Sequence, residues 1–271
     1  MPELPEVETT RRGIIAPLTN QIIKTVIVRE KRLRWTIPEN LTTVLPGQQI
    51  QQVHRRGKYL LLQCTQGHLL IHLGMSGHLR ILPFDTPLKK HDHIDVVLTN
   101  DLCLRYHDPR RFGCVLWTGD AILSHPLLVN LGPEPLETGF TGEYLYQKAQ
   151  GRRIAVKNYI MDSHIVVGVG NIYANEALFL AGIHPARSIG QIDLIHYQSL
   201  AEKIKQVLST AIEKGGTTLR DFTDSAGNPG YFKTSLQVYG RAGLACVQCQ
   251  NTIQQQKIGQ RATYYCPVCQ H

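Results

Sequence analysis

Short runs of apolar residues, several of which alternate with polar residues, fill the chain from residue 20 to about residue 118. They are rich in β-branched residues, as in QIIKTVIVRE, HLLIHLGMSGHLRILP, HIDVVLTN and DLCLRYHD. Runs of this kind predict strands. Turn signals such as TQG, GMSG and DP separate the runs. Several short strands at regular spacing predict a β-sandwich or a barrel.

The hydrophobic period changes after a segment rich in Pro and Gly, residues 131–142, which we interpret as a linker. From Asp193 to Lys214 apolar residues recur at helical spacing, and Gly215 and Gly216 follow them. This pattern predicts a helix that ends at the two glycines. A shorter helix is predicted over NIYANEALFLAG, and IHPARS is predicted to form the turn between the two helices.

The opening residues, MPELPEVETTRRG, permit two interpretations. In the structural one they form a helix whose early carboxylates and late arginines suit the helix dipole, and Gly13 ends it. In the chemical one, removal of Met1 leaves Pro2 as a free secondary amine beside the carboxylate of Glu3. That arrangement pairs a nucleophile with an acid or base. The opening alone favours the structural interpretation.

Composition indicates the kind of partner. The 271 residues suffice for one large or two modest domains, and a hydrophobic content of 42% is ordinary for a globular protein. The net charge of +8 is not ordinary, and it predicts a polyanionic partner, a nucleic acid rather than a membrane. The opening residues do not form a signal peptide, and no apolar run approaches the ~20 residues of a membrane span. We therefore expect a cytoplasmic protein.

Four of the seven cysteines lie near the end of the chain in the pattern C-x2-C-x16-C-x2-C. Two Cys-x-x-Cys turns at this spacing present four thiolates to one tetrahedral metal ion, so the pattern predicts one structural zinc ion. The ligands are Cys246, Cys249, Cys266 and Cys269. The other three cysteines lie among strand-like residues and are expected to be buried thiols. A hairpin should join the two turns, with KIGQRATYY as its second arm, and we predict that Arg261 on this finger contacts phosphate.

Several other stretches suit contact with a nucleic acid, although each has an ordinary structural alternative. HRRGKYLLL places Lys58 at the entry of a strand, and DPRRFG predicts a tight turn with Arg110 and Phe112 at its tip. An aromatic residue beside arginines suits a wedge that enters a base stack. GMSG presents Met75 at a second turn. The glycine-rich entry to a helix at Asn171 suits phosphate binding by backbone N–H groups.

The run His91-Asp92-His93 has two interpretations. It could contribute to a second metal site with Asp95 or His107 as a further ligand. We prefer a histidine on an edge strand that faces phosphate.

These motifs occur together and in order in bacterial formamidopyrimidine-DNA glycosylases, a family that the whole chain resembles. The motifs include PELPEVET, RRGKYLL, IHLGMSGHLRI, RYHDPRRFG, VVGVGNIYANEALF, GGTTLRDF and QRATYYC. A sister group that acts on oxidised pyrimidines opens Pro-Glu-Gly-Pro-Glu, whereas Leu4 stands here, which favours the branch that repairs purines.

The resemblance implies an α+β multidomain fold with DNA lying across the cleft between its two halves. Residues 1–130 would form a catalytic β-sandwich with an N-terminal helix. Residues 131–236 would form a linker and a helix–two-turn–helix DNA-binding domain, in which 215–232 is a lid over the flipped base. Residues 237–271 would form the zinc finger.

The activity that the resemblance implies is that of a bifunctional DNA glycosylase and abasic-site lyase, which excises 8-oxoguanine and formamidopyrimidines from double-stranded DNA. In the family the N-terminal proline attacks the sugar and forms an imine, so this role falls to Pro2, with Glu3 as acid or base and Glu6 orienting the site. Lys58 and Arg261 would donate protons in the β- and δ-eliminations.

The resemblance also implies a set of DNA contacts and a monomeric protein. Lys157 would contribute near the site. The expected DNA contacts are His72, His91, Arg110, Arg152, Asn171 and Tyr239. The gap left by the flipped nucleotide would be filled by Met75, Arg110 and Phe112. Two alternatives remain, an enzyme with the same chemistry on oxidised pyrimidines and a zinc-finger protein that binds abasic DNA without catalysis.

Overall fold

The computed structural model describes residues 2–217 and 232–271, and these residues form two units. The first contains the chain up to Val129 together with the segment that begins at Lys214. The second contains Asn130–Glu213 and Phe232–His271. Each unit has its own cluster of buried apolar side chains.

The first unit is a β-sandwich with a helix at its start. Its elements are α1 Leu4–Leu18, β1 Ile23–Val28, α2 Leu41–Val44, β2 Ile50–Arg56, β3 Tyr59–Cys64, β4 Gly67–His72, β5 His78–Pro83, β6 Asp92–Leu98, β7 Leu102–His107 and β8 Cys114–Thr118. The strands form two antiparallel sheets, ordered β1-β6-β7-β5 and β2-β3-β4-β8. Side chains from both sheets share one apolar cluster, which confirms the predicted sandwich.

Helix α1 does not end at Gly13, so the predicted end of this helix is wrong. It continues to Leu18 and includes Pro17. Ile14 and Leu18 follow the glycine one turn apart and are fully buried in the core of the sandwich. Burial of two large aliphatic side chains is worth about 3–6 kcal/mol, which exceeds the ~1 kcal/mol that a glycine costs inside a helix.

A Gly13→Ala variant is expected to raise the free energy of unfolding by about 0.5–1 kcal/mol, because residue 13 is exposed inside the helix. Urea titration measures the change. The matched control is Gly47→Ala. Gly47 has φ +84, and a Cβ added there would meet open space, so its backbone alone should make that variant less stable. A Gly13→Ala variant less stable than the wild type would contradict a continuous helix.

The second unit is helical and ends in a hairpin. Its elements are α3 Gly142–Ala149, α4 Val156–Met161, α5 Asn171–Leu180, α6 Leu194–Glu213, β9 Gln254–Ile258 and β10 Arg261–Tyr265. The predicted helices at α5 and α6 are confirmed. Within the described part of the chain, every helix is too short or too polar to cross a membrane.

Two features of this unit differ from the sequence-based expectation. The short helices α3 and α4 were not predicted, and the residue that starts α3 stood in the supposed linker. The hydroxyl oxygen of Thr141 accepts a hydrogen bond from the Tyr144 backbone N–H and so caps α3. KIGQRATYY is not a single arm of the hairpin, because Gly259 and Gln260 turn the chain between β9 and β10.

Candidate active site and nucleic-acid interface

The N-terminal residues of the first unit are buried at the start of α1. Glu3 occupies the N-cap position with an extended backbone, and it is only 2% exposed. Pro2 before it is also buried. The structure therefore shields Glu3 from bulk water. Glu3 directly follows Pro2, the predicted nucleophile, in sequence.

Glu6 holds this end of the chain in place. Its Oε2 accepts a hydrogen bond from the Glu3 backbone N–H at 2.8 Å, and its Oε1 accepts one from the Thr217 backbone N–H at 2.7 Å. Gly216 has φ +81, and a Cβ there would lie 2.9 Å from Glu6 Oε1. A glycine is therefore required where the segment that leads to residues 218–231 approaches Glu6. Most of the predicted lid, 215–232, lies outside the described residues.

Lys58 lies at the tip of the hairpin that joins β2 and β3. Arg56 pairs with Tyr59, so Gly57 and Lys58 form a two-residue turn, and Gly57 has φ +56. A turn that needs a positive φ explains the glycine in front of Lys58. The Lys58 side chain is half-buried.

Arg55, in the same basic run, has a structural role. Its guanidinium donates hydrogen bonds to Glu8 at 3.1 Å and to the Gly57 carbonyl oxygen at 3.0 Å. Burial by itself would raise the pKa of Glu8, but hydrogen bonds from Arg11, Arg12 and Arg55 lower it to about 2. Glu8 therefore ties α1 to the hairpin that carries Lys58.

The turn predicted at DPRRFG is present, and its tip is exposed. Phe112 is 42% exposed, and the Arg110 guanidinium carbon lies 4.9 Å from the centre of its ring. Met75, on the GMSG turn, is half-buried rather than exposed. An exposed cation–aromatic pair with a methionine is suited to intercalate between bases.

His72 is a neutral hydrogen-bond donor. Burial, with a smaller contribution from Lys58 and Arg34, lowers the pKa of its imidazole to about 4. Its Nδ1 accepts a hydrogen bond from the Gly74 backbone N–H at 3.0 Å. The ring proton must then reside on Nε2, which can donate to a phosphate oxygen.

His91 is not on an edge strand, so that part of the prediction is wrong. It precedes β6, which lies between β1 and β7, and its φ of +77 turns the chain into the strand. The alternative metal site is not formed either. Asp92 accepts hydrogen bonds from Arg80 and His107, and the described residues bring together only the four C-terminal cysteines as a possible metal site.

In the second unit, two side chains support the strand that carries Arg261. Lys157 is fully buried, and its Nζ donates hydrogen bonds to the Ala262 carbonyl oxygen at 3.0 Å and to Thr263 Oγ1 at 2.7 Å. Asn171 begins α5 as predicted, and its Nδ2 donates to the same Ala262 oxygen at 3.0 Å. Arg261 itself is exposed at the start of β10. Arg152 is also exposed, beyond the end of α3.

Glu176 is a functional candidate that the sequence interpretation missed. It is 2% exposed, and burial raises the pKa of its carboxyl group although three backbone N–H groups donate to it. The donors are Gln237, Val238 and Tyr239 at 2.8–3.0 Å. Glu176 therefore fixes the backbone of Tyr239. The sequence feature that could have drawn attention to Glu176 is that it is a lone carboxylate in the apolar run of α5.

The cysteine cluster fits one structural zinc ion. The four Sγ atoms lie within 4.8 Å of one another. A backbone N–H of Asn251 is the main cause that lowers the pKa of the Cys249 thiol, to about 7, whereas burial raises the pKa of Cys266 and Cys269. Gln248 donates its backbone N–H to Cys246 Sγ at 3.5 Å. Backbone donors around sulfur favour the thiolates that zinc requires. The remaining cysteines are buried thiols, and burial raises the pKa of Cys64 to about 12.

Family models match three consecutive parts of the chain. They are the formamidopyrimidine-DNA glycosylase N-terminal domain over residues 1–115, its H2TH domain over 131–223, and a zinc finger found in FPG and IleRS over 243–271. A β-sandwich, a helix–two-turn–helix domain and a four-cysteine finger define the class of zinc-finger DNA glycosylases. The chain belongs to the formamidopyrimidine-DNA glycosylase family.

Individual relatives are similar to this chain over its full length. The chain is 60% identical to formamidopyrimidine-DNA glycosylase of Nitrosococcus oceani and 58% identical to that of Methylococcus capsulatus, with 100% of both chains covered in each case. Among solved structures it resembles a Lactococcus lactis Fpg mutant in complex with DNA that contains Fapy-dG, with a TM-score of 0.93, 36% identity and full coverage of both chains. Fpg from Thermus thermophilus gives a TM-score of 0.88 at 36% identity, with 99% of this chain and 98% of that chain covered.

Proposed function

We propose that this protein is a bifunctional DNA glycosylase and abasic-site lyase that excises oxidised purines from duplex DNA in base excision repair. The observation that carries the proposal is the buried N-terminal arrangement, in which Glu3 adjoins Pro2 and Glu6 fixes the Glu3 backbone at 2.8 Å. Membership of the glycosylase family supports the same activity. The enzyme would act as a monomer in the cytoplasm, located at the nucleoid through its DNA substrate.

Pro2 supplies the nucleophile once Met1 has been removed. Its nitrogen forms a bond to C1′ of the damaged nucleotide, the bond between C1′ and the base breaks, and the base leaves with the electron pair and a proton. The nitrogen then loses its proton, and its lone pair expels the sugar ring oxygen, which accepts a proton. We assign the transfer of these protons to Glu3. The product is an iminium ion.

The iminium ion permits strand cleavage because it makes the C2′ proton acidic. Loss of that proton expels the 3′ phosphate, and a further elimination expels the 5′ phosphate. We assign proton donation in the first elimination to Lys58, at the hairpin tip, and in the second to Arg261, exposed on the finger. Glu6 keeps Glu3 in position, and Lys157 supports the strand of Arg261.

The proposed DNA contacts are those that the resemblance to the family implies, and two of them have properties that suit the role. Neutral His72 offers Nε2–H to phosphate, and Arg152 offers an exposed charge. The remaining proposed contacts are His91, Arg110, Asn171 and Tyr239. Met75, Arg110 and Phe112 would fill the gap left by the flipped nucleotide. The division into residues 1–130, 131–236 and 237–271, with 215–232 as a lid, remains part of this proposal.

Oxidised pyrimidines are the second candidate substrates. The observation in their favour is that a Lactococcus lactis Fpg has been solved in complex with DNA that contains an oxidised pyrimidine, and it matches this chain with a TM-score of 0.92 at 35% identity. Leu4, fully buried where the pyrimidine branch carries glycine, favours purines.

Borohydride trapping on a duplex with 8-oxoguanine opposite cytosine tests the proposal. We expect a covalent adduct that maps to the N-terminal peptide. Pro2→Gly keeps an amine but lacks the ring that fixes its direction, so trapping should fall by about a hundredfold. Intact mass must first show that Met1 is absent, because Pro2 nitrogen is otherwise an amide.

Absence of an adduct from such processed protein would reject the oxidised-purine lyase. Trapping on an oxidised-pyrimidine duplex would then support the sister activity. Failure on both duplexes, with abasic DNA still bound, would leave a DNA-binding protein without catalysis.

A further inference from the structure

We propose that Asp108 is a positioning residue that fixes the two void-filling turns against each other, an inference that rests on the proposed function. The first turn, residues 74–77, carries Met75, and the second, residues 108–113, carries Arg110 and Phe112. Asp108 touches neither base nor phosphate in this proposal. It acts through the shape that it gives to both turns.

The Asp108 carboxylate joins the turns directly. It is fully buried, and its Oδ1 accepts a hydrogen bond from the Ser76 hydroxyl at 2.7 Å, next in sequence to Met75. Its Oδ2 accepts one from the Gly113 backbone N–H at 2.9 Å, next to Phe112. Ser76 Oγ in turn accepts the Arg110 backbone N–H at 3.2 Å. The Asp108 carboxylate and the Ser76 hydroxyl thus form hydrogen bonds either with a void-filling residue or with its neighbour in sequence, and this holds for all three void-filling residues.

The network extends to two of the proposed DNA-contact histidines. The Tyr106 hydroxyl lies 3.3 Å from Asp108 Oδ2 and 3.2 Å from the His72 carbonyl oxygen. The Asp108 backbone N–H donates to the His91 carbonyl oxygen at 3.2 Å. His93 Nε2 lies 2.8 Å from the Asp108 carbonyl oxygen. Asp108 is therefore the common partner of the chain segments that present these side chains.

The backbones of the two turns pack closely against each other. A Cβ at Gly74 would lie 2.4 Å from the Gly113 backbone nitrogen, and one at Gly113 would overlap the Tyr106 hydroxyl. Glycine at both positions lets the backbones meet. The hydrogen bonds of Asp108 then select one arrangement of the turns.

The donors around Asp108 explain why an acidic side chain suits the position. Hydroxyl and amide hydrogens converge on both oxygens, and a carboxylate accepts at each oxygen. Asparagine could keep the bond to Gly113 through its oxygen and donate its amide hydrogen to Ser76 Oγ. Alanine would leave the buried Gly113 N–H and Ser76 hydroxyl without this partner, which is costly. The Asp108→Asn variant is therefore the conservative rescue.

The experiment compares Asp108→Ala, Asp108→Asn and Asp120→Ala on two substrates. Asp120 is an exposed aspartate after β8 and serves as the matched control. An 8-oxoguanine duplex with 2-aminopurine opposite the lesion requires filling of the gap, and fluorescence reports that step. A single-stranded abasic oligonucleotide has no paired strand and no gap to fill.

We expect Asp108→Ala to lower kcat/KM on the duplex by about a hundredfold, with the 2-aminopurine signal slowed and single-stranded lyase activity unchanged. Asp108→Asn should recover most of the duplex activity, and Asp120→Ala should match the wild type. Equal loss on both substrates, or no loss on the duplex, would overturn the proposal. If Asp108→Ala fails to fold, Ser76→Ala must give the same duplex-selective loss. A wild-type protein inactive on both substrates would instead refute the proposed function.

Discussion

A Glu3→Gln variant is expected to lose base excision from an 8-oxoguanine duplex by about a hundredfold to ten-thousandfold, the range for removal of a general acid or base. Its lyase activity on a duplex with a preformed abasic site should be reduced much less, because no base has to leave. Glutamine has the shape of glutamate and keeps the N-cap position filled. Single-turnover rates on the two duplexes measure the difference.

The control for this variant is Glu39→Gln. Glu39 is a largely exposed glutamate of the same unit that pairs with Lys31 at 3.1 Å, and its variant should match the wild type on both duplexes. An equal loss of excision and lyase activity in Glu3→Gln would indicate that Glu3 only maintains the fold at Pro2. Full excision would remove Glu3 from the mechanism.

The strands were predictable because each carries its own signal. Runs rich in β-branched and other apolar residues, together with Gly and Asp-Pro turns, located the elements of the sandwich. The end of α1 was not predictable from local sequence, since the burial of Ile14 and Leu18 in a core built by later strands outweighs Gly13. The prediction that His91 lies on an edge strand failed for a related reason, because strand order is a property of the whole sheet.

The residues of the candidate site also divide into those that could be predicted from the sequence and those that could not. The four cysteines follow from residue type and spacing, and exposed Phe112 follows from a tight turn, whereas the roles of Pro2 and Glu3 come from the resemblance to the family. Glu176 could not be identified in this way, because its backbone partners lie 61–63 residues away in sequence. The bond between Asp108 and the Ser76 hydroxyl likewise spans 32 residues. A buried carboxylate that satisfies distant donors has no local pattern. It is recognised only when those donors are in place.

Buried carboxylates recur throughout this protein in a common role. Glu6 accepts backbone N–H groups at the N-terminus, Asp108 at the void-filling turns, and Glu176 at the start of the finger. Each stabilises irregular backbone that secondary structure does not fix, at places where we propose contact with DNA. Bonds from several donors offset the cost of burying the charge. Acidic residues thus hold the proposed DNA-contact residues in fixed positions, although the negatively charged DNA repels carboxylates.

Loss of the zinc ion is expected to have the other large effect. A Cys249→Ser variant should lose the single bound zinc and, with it, the order of the hairpin that carries Lys257 and Arg261. Both cations are exposed on this hairpin, and two charged hydrogen bonds to phosphate are worth about 3–6 kcal/mol. Affinity for an abasic-site duplex should therefore fall by about a hundredfold or more. Metal analysis and fluorescence anisotropy measure the two changes.

The matched control removes a thiol that is not a ligand. Cys103→Ala deletes a buried sulfur in the sandwich, so the variant should keep one zinc per chain and wild-type affinity, with only its stability reduced. Chelation of the wild-type protein should reproduce the Cys249→Ser defect, and added zinc should reverse it in the wild type alone. Retained affinity after complete loss of zinc would show that the finger contributes no phosphate contact. The role proposed for Arg261 would then fail with it, because that role requires an ordered β10.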